Sequence, residues 1–289
     1  MNEIRLKLAD GRTLAACEVG DPKGRPIFYF HGFPGSRLDV EFGLEAAEKN
    51  GLRLIGFDRP GWGASAPRRN RKLLDWPDDV AEAADQLGCD RFSIVGVSGG
   101  GPFAIACASK LAQRIDRVGV VCGLGPHHAR EEGDGMTSHV RIGLALSSRA
   151  RWLVRPMVTV ATPMLQMITA SLVERAARFS SKPDRVVLRD PKVRSLIERS
   201  FSEAFAAGGE GAIADGLIYG SDWGIDLSQI DCPVHFWHGE QDRVVPISMG
   251  RHVAEQIPDA RFEAYPDDGH FSIVTRNFID IFAVIASRA

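Results

Sequence analysis

One serine stands among four glycines in the stretch Ile94–Ala106, which reads IVGVSGGGPFAIA. Apolar β-forming residues precede this serine, and a helix-like pattern follows it. Residues 96–100 therefore match G-x-S-x-G at a strand-to-helix turn, which presents the Ser98 hydroxyl as a nucleophile. Glycines relieve side-chain clashes in so tight a turn, and the start of the helix favours negative charge near the Gly99 N–H.

Two other interpretations of this stretch need signals elsewhere in the sequence. A phosphate-binding loop would need a following G-K-[ST], and a dinucleotide site would need an acidic residue placed to hold a ribose. Neither signal is present. A plain glycine-rich turn remains the alternative to the nucleophile.

A serine hydroxyl needs a general base, and the candidates are histidines. His270, in PDDGHFS, follows the last predicted strand and precedes the C-terminal helix, so its side chain is expected over the strand ends near Ser98. His31 and His238 also lie at strand ends, so position alone does not exclude them.

The base in turn needs a carboxylate that orients it. Asp242, in HGEQDRVVP, follows the strand that precedes His270 in the chain, which gives the order Ser98, Asp242, His270. Glu240 is the nearest competitor. Asp267 and Asp268 lie too close to His270 in sequence to face its far nitrogen and are expected to cap a turn.

The stretch HGFPGS, residues 31–36, follows the first strand predicted to be parallel. In G-x-S-x-G enzymes a backbone N–H of this loop stabilises the developing oxyanion together with the residue after the serine. We therefore expect the N–H groups of Phe33 and Gly99 to form an oxyanion hole.

These residues need a sheet to position them, and the chain has the corresponding pattern. Short apolar runs alternate with helical segments over most of the 289 residues, which predicts a parallel sheet. An Asp-Gly turn between the first two runs predicts an antiparallel hairpin. The expected fold is α/β, a mostly parallel eight-stranded sheet with helices on both faces and a helical cap inserted after the sixth strand. The predicted boundaries are 1–124 and 222–289 for the core and 125–221 for the cap.

Composition excludes several classes. The net charge of −2 gives no electrostatic case for a nucleic-acid partner. Five cysteines without a CxxC pair favour a reducing compartment, and the start of the chain has no signal-like segment, so we expect a cytoplasmic protein. The uncharged stretch 156–173 contains prolines and a glutamine, so we expect it to cover an apolar surface rather than to span a membrane, and we expect no membrane partner.

A few further residues could contact a substrate in a site under a cap. Arg59 is expected in a structural salt bridge rather than on a substrate. Adjacent histidines point apart and no third ligand is spaced near residues 127 and 128, so no metal site is expected. The candidates for substrate binding are Trp62, His127, Trp152, Tyr219 and Trp223.

Five blocks, FHGFPGS, FDRPGWGAS, VGVSGGG, WHGEQDRVVP and DDGHFS, occur in an order and at spacings that resemble the α/β-hydrolase superfamily, cap-bearing branch. This resemblance implies Ser98 as nucleophile, His270 as base, Asp242 as acid, and the Phe33 and Gly99 amides as oxyanion hole. A serine at the nucleophile position disfavours the dehalogenase and epoxide-hydrolase branches, which have aspartate there. HGFPGS resembles the proline-iminopeptidase group, but the tryptophan that this group has after the serine is absent.

The resulting expectation is a carboxylesterase-like serine hydrolase that cleaves a small or medium apolar ester through an acyl-enzyme, needs no cofactor, and acts on a small molecule. A homo-oligomer is possible. The alternatives are a hydrolase of a carbon–carbon bond in a diketone, a proline-iminopeptidase-like peptidase, a cofactor-free oxygenase or perhydrolase, and a small-molecule receptor on the same fold.

Overall fold

The computed structural model describes residues 1–126, 135–167 and 169–287 and contains one eight-stranded sheet. Its spatial order is β1-β2-β4-β3-β5-β6-β7-β8. The strands are β1 (Asn2–Lys7), β2 (Thr13–Gly20), β3 (Arg25–Phe30), β4 (Leu52–Phe57), β5 (Phe92–Val97), β6 (Ile115–Val121), β7 (Val234–Gly239) and β8 (Ala260–Tyr265).

The sheet begins antiparallel and continues parallel. β1 and β2 form the predicted hairpin, and β2 is also antiparallel to β4. Every later pair is parallel. Parallel strands place their carboxyl ends at one edge of the sheet, so the loops that follow β3, β5, β7 and β8 converge there.

Helices cover both faces of this sheet. Along β3, Phe28 belongs to one hydrophobic cluster and its neighbour Tyr29 to another, because successive side chains of a strand point to opposite faces. The helices that carry these two clusters are α2 (Trp76–Gln86), α3 (Gly101–Leu111) and α10 (Ile247–Ala254) on the first face, and α1 (Leu44–Asn50) and α11 (His270–Ala286) on the second.

Between β6 and β7 the chain leaves the sheet and forms a group of helices. They are α4 (Ser138–Arg149), α5 (Arg151–Met167), α6 (Thr169–Phe179), α7 (Lys182–Val187), α8 (Pro191–Ala204) and α9 (Glu210–Tyr219). We call this group the cap. Trp62 of the core packs with Phe205 and Ala212 of the cap in a third cluster. Over the described ranges, no helix combines the length and hydropathy that crossing a membrane requires.

Candidate active site

Ser98 occupies the turn between β5 and α3 with a φ of 53°, a backbone conformation that residues other than glycine rarely adopt. A Cβ at Gly96 would lie 2.6 Å from the carbonyl oxygen of Gly100 and 2.8 Å from Cβ of Ala104. Only glycine fits at position 96, and its lack of a side chain allows so tight a turn here. The turn places Ser98 at the carboxyl edge of the sheet.

His270 and Asp242 complete a chain of hydrogen bonds that starts at Ser98. The Ser98 hydroxyl lies 2.9 Å from Nε2 of His270, and Nδ1 of His270 lies 2.7 Å from Oδ2 of Asp242. The other oxygen of Asp242 accepts the backbone N–H groups of Val244 at 2.7 Å and Val245 at 2.9 Å. The carboxylate is thus fixed on the ring nitrogen that faces away from the serine.

Electrostatics favour a charged Asp242 beside His270. Burial alone would raise the pKa of Asp242, but the adjacent His270 and the side-chain hydrogen bonds of His238 and His270 lower it to about 2. For His270, burial opposes protonation, yet the adjacent carboxylate outweighs it and raises the pKa well above 6.5. The charged carboxylate therefore favours the protonated form of the ring, which would form if Ser98 gave up its proton.

The two competing histidines have other partners. Nε2 of His238 lies 2.9 Å from the carbonyl oxygen of Val245 and 3.6 Å from Oδ2 of Asp242. His31 is fully buried, and burial together with Arg59 lowers its pKa well below 6.5. Neither ring contacts Ser98 in the way that His270 does. Glu240 is exposed at the surface.

Cys122, Asp242 and His270 bring one ligand atom each within 4.8 Å of one another, which raises the question of a metal. Both nitrogens of His270 are already engaged, with Asp242 and with Ser98. Burial raises the pKa of the Cys122 thiol, so the thiolate that a metal would need is disfavoured. The donor set therefore fits a proton relay better than a metal site.

The loop after β3 lies against the serine turn, as the oxyanion-hole hypothesis requires. A Cβ on Gly99 would lie 2.9 Å from Cβ of Phe33 and 2.5 Å from the hydroxyl of Tyr219. The Tyr219 hydroxyl donates to the carbonyl of Gly99 at 2.9 Å. Gly99 is thus enclosed between the loop and the cap helix α9.

A buried ion pair holds this loop to the cap. Arg59, which has no exposed surface, donates to the carbonyls of His31 at 2.5 Å and Gly32 at 3.1 Å. Its Nε donates to Asp215 of α9 at 2.9 Å, and Arg71 also pairs with Asp215. Burial would raise the pKa of Asp215, but the two arginines lower it. The expected structural salt bridge of Arg59 is present, and it anchors the peptide groups that precede Phe33.

A second cap carboxylate holds the helix that begins at His270. Asp184 accepts the backbone N–H groups of His270 at 2.9 Å, Phe271 at 2.8 Å and Ser272 at 2.9 Å. It also accepts the hydroxyl of Ser181 at 2.9 Å. These N–H groups have no partner inside the helix, so Asp184 supplies the N-terminal cap of α11 from a different part of the chain. The sequence carries no local signal that marks this residue.

A cavity of about 690 Å³ lies between the sheet edge and the cap, and Ser98, Gly99, Phe33 and His270 line it. Its wall is mostly apolar. The apolar residues from the cap include Val140, Leu144, Val154, Met157, Val158 and Leu165. The cap thus covers Ser98 with a mostly apolar cavity.

The five candidates for substrate binding are placed differently. Tyr219 lines the cavity. Trp62 and Trp223 are buried outside the cavity wall. The indole N–H of Trp62 donates to Asp215 at 2.8 Å. Trp152 is 77% exposed on the outer face of α5. The cavity wall therefore does not include these three tryptophans. Residue type alone predicted them as lining residues, because it does not show which way each ring points. His127 lies outside the described residues.

Comparisons with known proteins agree with this architecture. A sequence model of the alpha/beta hydrolase fold matches residues 25–140. The bifunctional esterase/perhydrolase DCH of Acinetobacter calcoaceticus is 26% identical over 257 residues, which cover 86% of each chain. A bromoperoxidase from Bacillus anthracis superposes with a TM-score of 0.74 at 21% identity, covering 98% of this chain and 99% of that one.

An esterase from Exiguobacterium antarcticum superposes with a TM-score of 0.73 at 18% identity, covering 98% of this chain and 99% of the other. Identities this low establish the fold alone. Together with the match of the family model to residues 25–140 and the sheet order, they show that the chain has the alpha/beta hydrolase fold.

Proposed function

We propose that the protein is a serine hydrolase of the carboxylesterase type that cleaves small or medium apolar esters. Relatives that are named as hydrolases or esterases support a hydrolase of this fold. The observation that carries the proposal is the relay from Ser98 through His270 to Asp242, with distances of 2.9 Å and 2.7 Å. This arrangement makes a serine nucleophilic, because the histidine can take its proton.

The first half of the reaction forms an acyl-enzyme. Oγ of Ser98 attacks the carbonyl carbon of the ester while its proton moves to Nε2 of His270. The carbonyl oxygen becomes an oxyanion, which the N–H groups of Phe33 and Gly99 stabilise. The intermediate collapses, the bond to the alcohol oxygen breaks, and the alcohol leaves with the proton from Nε2.

The second half releases the acid. A water molecule gives a proton to Nε2 of His270 and attacks the acyl carbon. The resulting intermediate expels Oγ of Ser98, which takes the proton back. Asp242 keeps the ring in one tautomer and balances its positive charge in both halves. The chemistry needs no cofactor.

The shape and lining of the cavity support the substrate class. A covered chamber of about 690 Å³ suits a compact molecule rather than a polymer or a folded protein. Its mostly apolar wall favours an apolar acyl or alcohol group. The cap residue Met157 adds a flexible side chain to this wall.

An activity screen over p-nitrophenyl esters of increasing acyl length tests the proposal, with the Ser98→Ala variant as blank. Each buried methylene contributes about 0.8 kcal/mol, so kcat/KM is expected to rise about fourfold per carbon over the first few carbons. It should then drop sharply where the chain meets the cavity wall. A flat profile from short to very long chains, or rapid cleavage of a folded protein, would contradict a substrate pocket of limited size under the cap.

Assays of other substrates separate the alternatives that share this triad. A diketone, a peptide with N-terminal proline and an acid with hydrogen peroxide are each compared with the best ester. We expect the ester to have the highest kcat/KM. A higher value for any of the other three would reassign the activity, and binding without turnover would favour a receptor.

A further inference from the structure

Helix α5 of the cap is apolar on both of its faces. Val154, Val158 and Leu165 line the cavity. On the opposite side, Trp152 is 77% exposed and Val160 is 80% exposed. A helix on the surface of a globular protein normally has polar residues on its outer face, so this helix departs from the usual pattern.

The exposed apolar residues of α5 form one stripe. Trp152, Pro156, Val160 and Met164 are all exposed and follow one another at intervals of four residues, which places them in a row along one side of a helix. The uncharged stretch 156–173 supplies most of this row. We call these four residues the outer stripe.

The outer stripe lies in the most basic part of the chain. Residues 138–199 contain twelve Lys and Arg and only four Asp and Glu, a net charge of +8, whereas the whole chain has a net charge of −2. The rest of the protein is therefore strongly acidic. Arg151 and Arg155 are exposed on α5 itself, next to the stripe, where Arg155 pairs with Glu210 of α9 and Arg151 donates to the carbonyl of Leu217.

The cavity opens near the same apolar surface. Met157 and Phe179 both line the cavity and are 50% and 64% exposed. Side chains that face the cavity and the solvent at once mark its rim. The rim is thus apolar and belongs to α5 and to the end of α6.

We propose that the outer stripe and the basic residues around it rest on the surface of an anionic lipid bilayer. Interfacial helices combine an apolar face, which enters the headgroup boundary, with basic residues that are attracted to anionic lipids. A second copy of the chain fits less well, because the same basic surface would face itself and repel. We expected no membrane partner because the stretch 156–173 does not span a bilayer, but contact with its surface needs no span.

This placement gives the cavity a source of substrate. With the outer stripe on the bilayer, the rim at Met157 and Phe179 meets the lipid boundary, so an apolar ester dissolved there enters the cavity without crossing water. This consequence rests on the proposed function. The binding of the outer stripe to lipid does not depend on the proposed function.

Flotation of the full-length Ser98→Ala variant with vesicles tests the binding without turnover. One set contains phosphatidylcholine alone, and the other contains phosphatidylcholine and phosphatidylglycerol in equal amounts. We expect affinity at least ~10-fold higher for the anionic set, and a decrease of this preference with added salt. Equal, weak flotation with both sets would overturn the proposal.

A substitution in the outer stripe locates the contact. Val160→Glu, made in the Ser98→Ala background, should reduce binding to anionic vesicles ~10-fold or more, because it puts a carboxylate at the headgroup boundary. Leu44→Glu is the matched control, since Leu44 is an exposed apolar residue on core helix α1. It should leave binding unchanged. Unchanged binding by Val160→Glu, or equal losses in both variants, would overturn the assignment to α5.

Two parallel measurements separate the outcomes. Light scattering over a range of protein concentrations should show no dimer that Val160→Glu dissociates, and such a dimer would assign the stripe to a second copy instead. Hydrolysis of a short, water-soluble ester should be the same with Val160→Glu and with the unsubstituted chain. If the unsubstituted chain fails to hydrolyse any ester, the proposed function fails while the vesicle result stands.

Discussion

Asp184 of the cap accepts the backbone N–H of His270 at 2.9 Å, although the two residues lie 86 positions apart. The same carboxylate accepts the next two N–H groups of α11. The position of the proposed base is therefore set by a residue of the inserted helices as well as by the sheet. In this protein the cap does more than cover the cavity.

Asp184→Asn should reduce kcat with little change in KM. The amide replaces one acceptor oxygen with a donor, so part of the helix N-terminus loses its partner and the His270 ring shifts. A displacement of a catalytic group by about 1 Å costs ~10²-fold in rate. Steady-state kinetics with the best ester measure both parameters, and thermal unfolding shows whether the variant is folded.

Asp190→Asn is the matched control for this prediction. Asp190 also accepts a backbone N–H at the start of a cap helix, from Lys192 at 2.8 Å, and this bond caps its own helix α8. Its kcat should stay near that of the unsubstituted chain. Equal kcat values for both variants would show that Asp184 is not a positioning residue.

Asp242→Asn should keep the fold and lower kcat by ~10³ to 10⁴, because the imidazole is then held in the wrong tautomer. Glu240→Gln should have no effect, since Glu240 is exposed two residues earlier. Kinetics of both variants on one ester decide between them. If Asp242→Asn is near normal and Glu240→Gln is inactive, the acid is Glu240.

Activity should depend on pH through His270. The neutral ring is the base, and Asp242 raises the pKa of His270 above 6.5 although burial opposes this. Thus kcat/KM should be constant at high pH and fall as the pH drops through this raised pKa. In Asp242→Asn the residual activity should fall only at lower pH, because the carboxylate no longer stabilises the protonated ring. An acid limb at the same pH in both proteins would contradict this account.

Asp215→Asn should destabilise the protein by about 3 to 5 kcal/mol, because it leaves Arg59 and Arg71 buried without their carboxylate. It should also lower kcat, since Arg59 holds the carbonyls next to Phe33. Denaturant unfolding measures the first effect. Asp116→Asn, which breaks an exposed pair with Arg91, should cost less than about 1 kcal/mol. Similar losses in both variants would refute the role of the buried pair.

The sheet and the cluster around Ser98 could be predicted because their signals are local. Short apolar runs and the Gly96–Gly100 turn depend on neighbouring residues, and loops after parallel strands converge at one edge. The contacts of Asp184 with α11 and of Asp215 with Arg59 join distant segments. Ser181-Lys-Pro-Asp184 reads as the start of its own helix, so nothing local indicated that its carboxylate caps another helix.

The central claim is that Ser98 is the nucleophile, and covalent labelling tests it most directly. The protein is treated with an organophosphonate, and intact-protein and peptide mass spectrometry count and locate the adducts. We predict one adduct per chain, on Ser98, with none in Ser98→Ala and loss of ester turnover in step with labelling. An adduct on another residue, or ester turnover that persists in Ser98→Ala, would contradict the claim.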